Sequence, residues 1–302
     1  MFRSIKLTSE IGQSVTISEN ANDYVLDESG LNLGQASATQ NMTQYIDLIG
    51  KHIDSIVIKP RDLAIIGWII GDTETIISKR KRILNRVINP MYNITLEIGD
   101  YALDFSPDSS IQYSPNYQEN NEYMCKFQIQ GTAAMPLFRL KDDNIYGETS
   151  VVRSNFHFPF AIPKEQGIIF GYYPFSSFAR MPNMGDVESG FTFVCKASNG
   201  NAINPGIENL TTGTNIRLNY TLLDGETLEI CTEIGKQYIK IIGSSGNEIN
   251  GMKYLTSDSE IDMTLALGIN KLVLVADDDT SKYLTAKAIF SPRFLEVEGR
   301  WD

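Results

Sequence analysis

Leu63-Ala64-Ile65-Ile66-Gly67-Trp68-Ile69-Ile70 is the longest apolar run in the chain. It is far short of the roughly 20 residues a membrane helix requires. An apolar run of about this length, rich in Ile, reads as a strand. Its first half, Leu63 to Ile66, reads as a strand buried on both faces. A few residues later the period changes. Between about Thr75 and Ile88, Ile76, Ile77, Leu84, Val87 and Ile88 share one helical face, with Arg80 the exception in that stripe. Asp72 or Thr73 is placed to cap this helix, and Asn89-Pro90 to stop it.

Elsewhere the pattern alternates. Val15 and Ile17, Cys125, Phe127 and Ile129, and Phe191, Phe193 and Cys195 each alternate with polar neighbours. That period of 2 puts one face of a strand in a core and the other toward water. Ile216 to Tyr220 and Leu228 to Ile230 flank Asp224-Gly225, which predicts a hairpin. Gly235-Lys236 predicts the next turn, and Asp277-Asp278-Asp279 predicts a hairpin joining Leu272–Val275 to Leu284–Phe290. Ile261, Met263, Leu265 and Leu267 alternate like a further strand. Gly30 to Gly50 is rich in Gly, Ser, Thr, Gln and Asn and reads as a long loop or arm. Lys141-Asp142-Asp143-Asn144 marks a polar boundary. The division it predicts is residues 1–145, strands with one helix, and 146–302, an all-β sandwich.

The chain has 302 residues, 42% of them apolar, and a formal net charge of −11. That length suits two domains, and the acidic balance argues against nucleic acid as the main ligand. The N-terminus lacks the apolar core of a signal peptide. Cys125, Cys195 and Cys231 lie in strand-like runs without a CxxC pair, so they read as reduced, buried thiols rather than a zinc site or disulfide framework.

Little in the chain supports catalysis. The two histidines are His52 and His157, the latter between Phe156 and Phe158. There is no GxSxG, P-loop, GxGxxG or HExxH motif. Asp277-Asp278-Asp279 lacks the glycine and terminal glutamate of a calcium loop and reads as an exposed turn. Lys79-Arg80-Lys81-Arg82 with Arg86 is the one basic cluster; it reads as a solvated or salt-bridged helix face, or a subunit contact. No catalytic, cofactor or metal residue is assigned, and the chain is read as not an enzyme.

Several motifs, taken in order, resemble the siphophage distal tail (Dit) family of tail components and baseplate hubs. Arg61 to Ile69 resembles its "R-x-I-x-I-x-G-x-I", and Arg82 to Pro90 its "R-x-L-x-x-x-x-N-P". Ala134-Met135-Pro136-Leu137-Phe138 resembles "A-x-D-P-x-F/W" without the aspartate. Phe158-Pro159-Phe160, Asn204-Pro205-Gly206-Ile207-Glu208-Asn209, Leu222 to Ile230 and Leu267-Gly268-Ile269-Asn270 resemble motifs of its second half.

The resemblance implies a mainly β protein: an N-terminal β-sandwich or split-barrel ring domain with one α-helix, and a C-terminal galectin-like, carbohydrate-module-like β-sandwich. It implies a ring homo-oligomer, commonly a hexamer, at the virion tail tip, assembled in the host cytoplasm. The partners implied are the tail tube protein, a tail-tip lysin or fibre protein and the tape-measure protein, with no specific nucleic acid, membrane span or cofactor. The alternative is a carbohydrate-binding module that adheres to the host surface. Its candidate contacts are Tyr172, Tyr173, Phe175 and Phe178, the one dense loop-like aromatic cluster, which can equally pack beneath a loop or at the domain junction.

Overall fold

The Leu63–Ile70 run lies within a strand, Arg61–Ile70, in which every second side chain points inward. Leu63, Ile65 and Ile69 are buried, while Ala64, Ile66, Trp68 and Ile70 are half-covered, so the strand has one core face rather than two. The computed structural model describes residues 4–45, 49–141, 145–148, 153–154, 171–172 and 178–297, with the backbone alone for 145–148, 153–154, 171–172 and 178. Two units emerge: residues 1–142 with 294–302, and residues 143–293. The division expected from sequence, 1–145 and 146–302, contains no such return of the chain.

The first unit comprises β1 (Ser4–Ser9), β2 (Ser14–Ser18), β3 (Tyr24–Asn32), β4 (Ala38–Thr43), β5 (His52–Ile58), β6 (Arg61–Ile70), α1 (Glu74–Val87), β7 (Ile94–Ile98), β8 (Tyr101–Pro107), β9 (Gln112–Tyr113), β10 (Met124–Ala133) and β11 (Phe138–Leu140). Strands pair in the order β8-β7-β1-β2-β3-β6-β10, and β10 pairs back onto β8, closing a seven-stranded barrel. Closure depends on Gly131, opposite Pro107: a Cβ there would lie 2.4 Å from the Phe105 ring and 2.7 Å from the Ser106 carbonyl. Gly67 plays a similar part within β6, because the Phe127 ring lies 2.7 Å from where its Cβ would stand.

The helix begins where Thr73 accepts from the Ile76 amide, so Thr73 rather than Asp72 is the cap. Ile77, Leu84, Val87 and Ile88 join the barrel core. Arg80 interrupts the apolar stripe because its guanidinium donates to the carbonyls of Ile70 and Asn22. Asn89 Oδ1 accepts from the Met91 amide at 3.0 Å and turns the chain out of the helix.

Arg61 is buried to 1% exposure at the start of β6. It donates to the carbonyl of Leu295, lies 3.7 Å from the Glu296 carboxylate and stacks 4.8 Å from the Phe138 ring centre. Phe294 meets Tyr101 edge-on at 5.3 Å. These contacts hold the returning segment to the first unit.

The second unit is a β-sandwich. One sheet runs Ile145–Glu148, Leu284–Phe290, Thr192–Ala197, Thr227–Cys231, Tyr238–Ile242, Glu248–Asn250; the other runs Phe178–Asn183, Gly268–Asp277, Ala202–Asn209, Thr214–Arg217, with Thr221–Leu222 also on Ala202–Asn209. Their inward residues share one core, including Met181, Phe193, Cys195, Ile207, Ile230 and Leu272.

Three sequence expectations fail here. Asp224-Gly225 carries the chain from one sheet to the other instead of closing a hairpin, and so does the Asp277–Asp279 turn. Ile261–Leu267 forms no strand; Met263 and Leu265 are buried, and one bridge links Leu265 to Ser189. That segment is held by buried asparagines. Asn270 donates to the Ala266 carbonyl at 2.7 Å and accepts from the Ala266 amide at 2.9 Å. Asn209 donates to the Thr264 carbonyl at 3.1 Å, and Asn183 to the Leu265 carbonyl at 3.0 Å.

Candidate functional site

The Gly30–Gly50 segment is not a loop. Gly30 to Asn32 complete β3, and beyond them β4 pairs antiparallel with β5 to form a separate two-stranded hairpin. Every residue of both strands is exposed. Asn41 donates to Ser55 Oγ at 2.8 Å, and the Lys59 amide donates to the Ser37 carbonyl at 2.8 Å at the root. An isolated two-stranded hairpin is marginal in water, so these bonds alone are a slight hold on so long an arm.

Its register sorts its side chains. Ala38 pairs with Ile58, Gln40 with Ile56 and Met42 with Ile53; Thr39 pairs with Val57, Asn41 with Ser55 and Thr43 with His52. Side chains of directly paired residues share a face. One face therefore carries Ala38, Gln40, Met42, Ile53, Ile56 and Ile58, and the other carries mainly polar groups. The apolar face needs the bulge at Asp54, which has no partner residue on β4. Ile53 and Ile56 are three residues apart, and in an unbroken strand they would point to opposite sides. Asp54 is fixed there by Thr43 Oγ1, which donates to its carboxylate at 2.5 Å. Met42 (46% exposed), Ile53 (43%), Ile56 (61%) and Ile58 (39%) thus form one uncovered stripe. Such a stripe marks an interaction surface.

Of the aromatic cluster expected from sequence, no side chain falls within the described part of the structure. Tyr172 and Phe178 lie in strands Gly171–Tyr172 and Phe178–Asn183, with their backbone alone described; Tyr173 and Phe175 lie outside the described residues. His157 also lies outside them, and His52 is exposed on the hairpin. The three cysteines are free and buried. Burial pushes the thiols of Cys125 and Cys195 up from their ordinary value, the opposite of an activated nucleophile. Asp277 pairs with Arg217 and accepts from Asn204 Nδ2 at 2.7 Å. Asp278 and Asp279 take left-handed turn conformations. Among the described residues, no group of three or more His, Cys, Asp and Glu is placed to hold a metal, and no helix is long and apolar enough to cross a membrane.

No protein-family model matches the chain, and no curated protein matches it in sequence. Solved structures do match. The Dit protein of phage SPP1, described as a paradigm of the hub adsorption apparatus in phages that infect Gram-positive hosts, aligns over 96% of this chain and 99% of its own, with a TM-score of 0.61 and 13% identity. The chain has the Dit fold. Two structures of the phage P2 baseplate in its activated conformation, with Ca and with Sr, match at TM-scores of 0.53 and 0.54, 11% identity, and coverage of 96% of this chain and 98% of theirs. Coverage is nearly complete on both sides, so the Dit fold extends over both units.

Proposed function

We propose that this chain is a structural hub subunit of a phage tail, and that copies of it close into a ring at the tail tip. The near-complete match to the Dit fold carries this reading. The uncovered stripe of the β4–β5 hairpin supports the ring, since an arm with one apolar face suits a groove on a neighbouring copy. A ring is one heterologous contact repeated until it closes; six copies are the number the family resemblance favours. The ring joins the tail tube to a tail-tip lysin or fibre protein, and its lumen passes the tape-measure protein and then DNA. Its work is assembly rather than catalysis, carried out in the host cytoplasm before the tail is complete. Negative-stain images and mass photometry of the purified full chain test this: rings with a central hole are expected, and a monomer at every concentration would sink it.

In the alternative reading, the second unit, galectin-like by resemblance, binds saccharide directly through Tyr172, Tyr173, Phe175 and Phe178. Glycan-array binding lost on Tyr173→Ala is the result that would favour it.

A further inference from the structure

The exposed face of α1 carries charges without partners among the described residues. Five of the chain's 26 Lys and Arg residues lie between Lys79 and Arg86. Two are used internally: Arg80 on the Ile70 and Asn22 carbonyls, and Lys81 on Asn120 and over the Tyr113 ring. The other three, Lys79, Arg82 and Arg86, are exposed, and none has a carboxylate partner among the described residues. At 100° per residue they lie on one side of the helix with Ile83, which is 49% exposed. Lys79–Arg82 and Arg82–Arg86 are like-charge pairs at i,i+3 and i,i+4, spacings at which repulsion destabilises a helix. The stripe therefore costs the isolated subunit stability and leaves an apolar side chain in water beside it.

A complementary feature lies on the barrel wall. Thr132 Oγ1 is 3.1 Å from an Asp62 carboxylate oxygen and 3.0 Å from one of Asp108. One hydroxyl proton can serve only one of the two, and neither carboxylate has a cation partner among the described residues. Asp62 is near the start of β6, whereas α1 follows its end, and among the described residues no ion pair joins the basic stripe to the acidic pair. Two copies placed head to tail can bring the two together, and that contact repeats.

We propose that the Lys79–Arg82–Ile83–Arg86 face of α1 docks against the Asp62–Asp108 side of a second copy of this chain. The proposal rests on the ring reading above. Nucleic acid is the poorer occupant: three cations over two turns are few for a phosphate backbone, and Ile83 at their centre offers it nothing. Contacts between opposite charges at an interface set pairing and salt dependence.

The test uses the full chain by mass photometry and sedimentation at 50 and 500 mM salt. R82E/R86E is expected to lower the association constant at least tenfold at low salt. D62K/D108K should do the same, and the fourfold variant carrying all the changes should restore association. At concentrations where the wild type is monomeric, R82A/R86A should melt no lower than wild type, separating docking from folding. Wild-type rings unmoved by R82E/R86E, or losses that the fourfold variant fails to repair, overturn this pairing while leaving the ring intact. A wild type that never associates overturns both readings. Duplex DNA binding at 150 mM salt that R82E/R86E abolishes would also overturn it, assigning the stripe to nucleic acid.

Discussion

The Arg61 guanidinium donates to the backbone carbonyl of Leu295, a residue 234 positions further along the chain. Its Nε and Nη1 atoms, equally buried, have no hydrogen-bond partner among the described residues. A buried cation with unpaired donors contributes less than its packing. We predict that Arg61→Ala, which removes the packing against Phe138 and leaves a hole, costs about 3 kcal/mol. Arg61→Met, of similar length and apolar, should cost under about 1.5 kcal/mol. Urea unfolding of the two variants checks this; equal losses would show the charge, not the packing, to be decisive.

The hairpin stripe should matter to assembly and not to folding. Ile56→Asp is expected to abolish rings while shifting subunit stability by no more than about 0.5 kcal/mol, as for exposed positions generally. A large fall in melting temperature would mean that the hairpin packs on its own subunit.

Deleting Asp54 tests the bulge itself. The deletion leaves Ile53 two residues from Ile56, so an unbulged strand keeps both on the apolar face. Ring formation is expected to survive the deletion. Loss of rings would show that the bend made by the bulge, and not only the shared face of Ile53 and Ile56, is needed for the contact.

Asn270 spans the amide and carbonyl of Ala266, so Asn270→Ala leaves both groups without their partner. A fully buried polar group left unsatisfied costs about 1–3 kcal/mol and a half-buried one such as those of Ala266 less, so we predict a loss of about 2 kcal/mol. Thermal melting measures it, and faster amide exchange at Ala266 should accompany it.

Burial, with the neighbouring Asp23 carboxylate, raises the Tyr24 hydroxyl to a pKa of about 12. The folded state then holds this proton more tightly than the unfolded chain, whose tyrosine titrates near about 10. The stability it confers is complete below about pH 10 and is lost as pH rises from there toward 12. Tyr24→Phe loses the bond from the hydroxyl to the Arg80 carbonyl and should be less stable at neutral pH. Its unfolding free energy should, however, fall less steeply between pH 10 and 12 than that of wild type. Parallel pH profiles would refute the assignment.

The inward faces of individual strands were legible in sequence because their signal is local. Cys125, Phe127 and Ile129 alternate, and all three point into the barrel. Thr73 and Asn89 bracket the helix by the same short-range logic. The sheet a strand joins was not legible: Asp224-Gly225 has the chemistry of a tight turn, and a tight turn serves equally to close a hairpin or to cross between sheets. The hairpin stayed hidden for another reason. It has no core face, and the bulge at Asp54 sets Ile53 and Ile56 three residues apart, which breaks the alternation that announces a strand. The basic helix was visible as composition, but its division into used and unused cations depends on the carbonyls at the end of β6.

The return of the chain to the first unit also orders events in time. Arg61 emerges from the ribosome long before Leu295, and at about 5–20 residues per second the interval between them is roughly 10–50 s. For that period the barrel lacks the carbonyl that caps its buried cation, while the sandwich is made in between. The earliest part of the subunit is therefore the last to be completed, and a nascent chain cannot finish its first unit before its second unit exists.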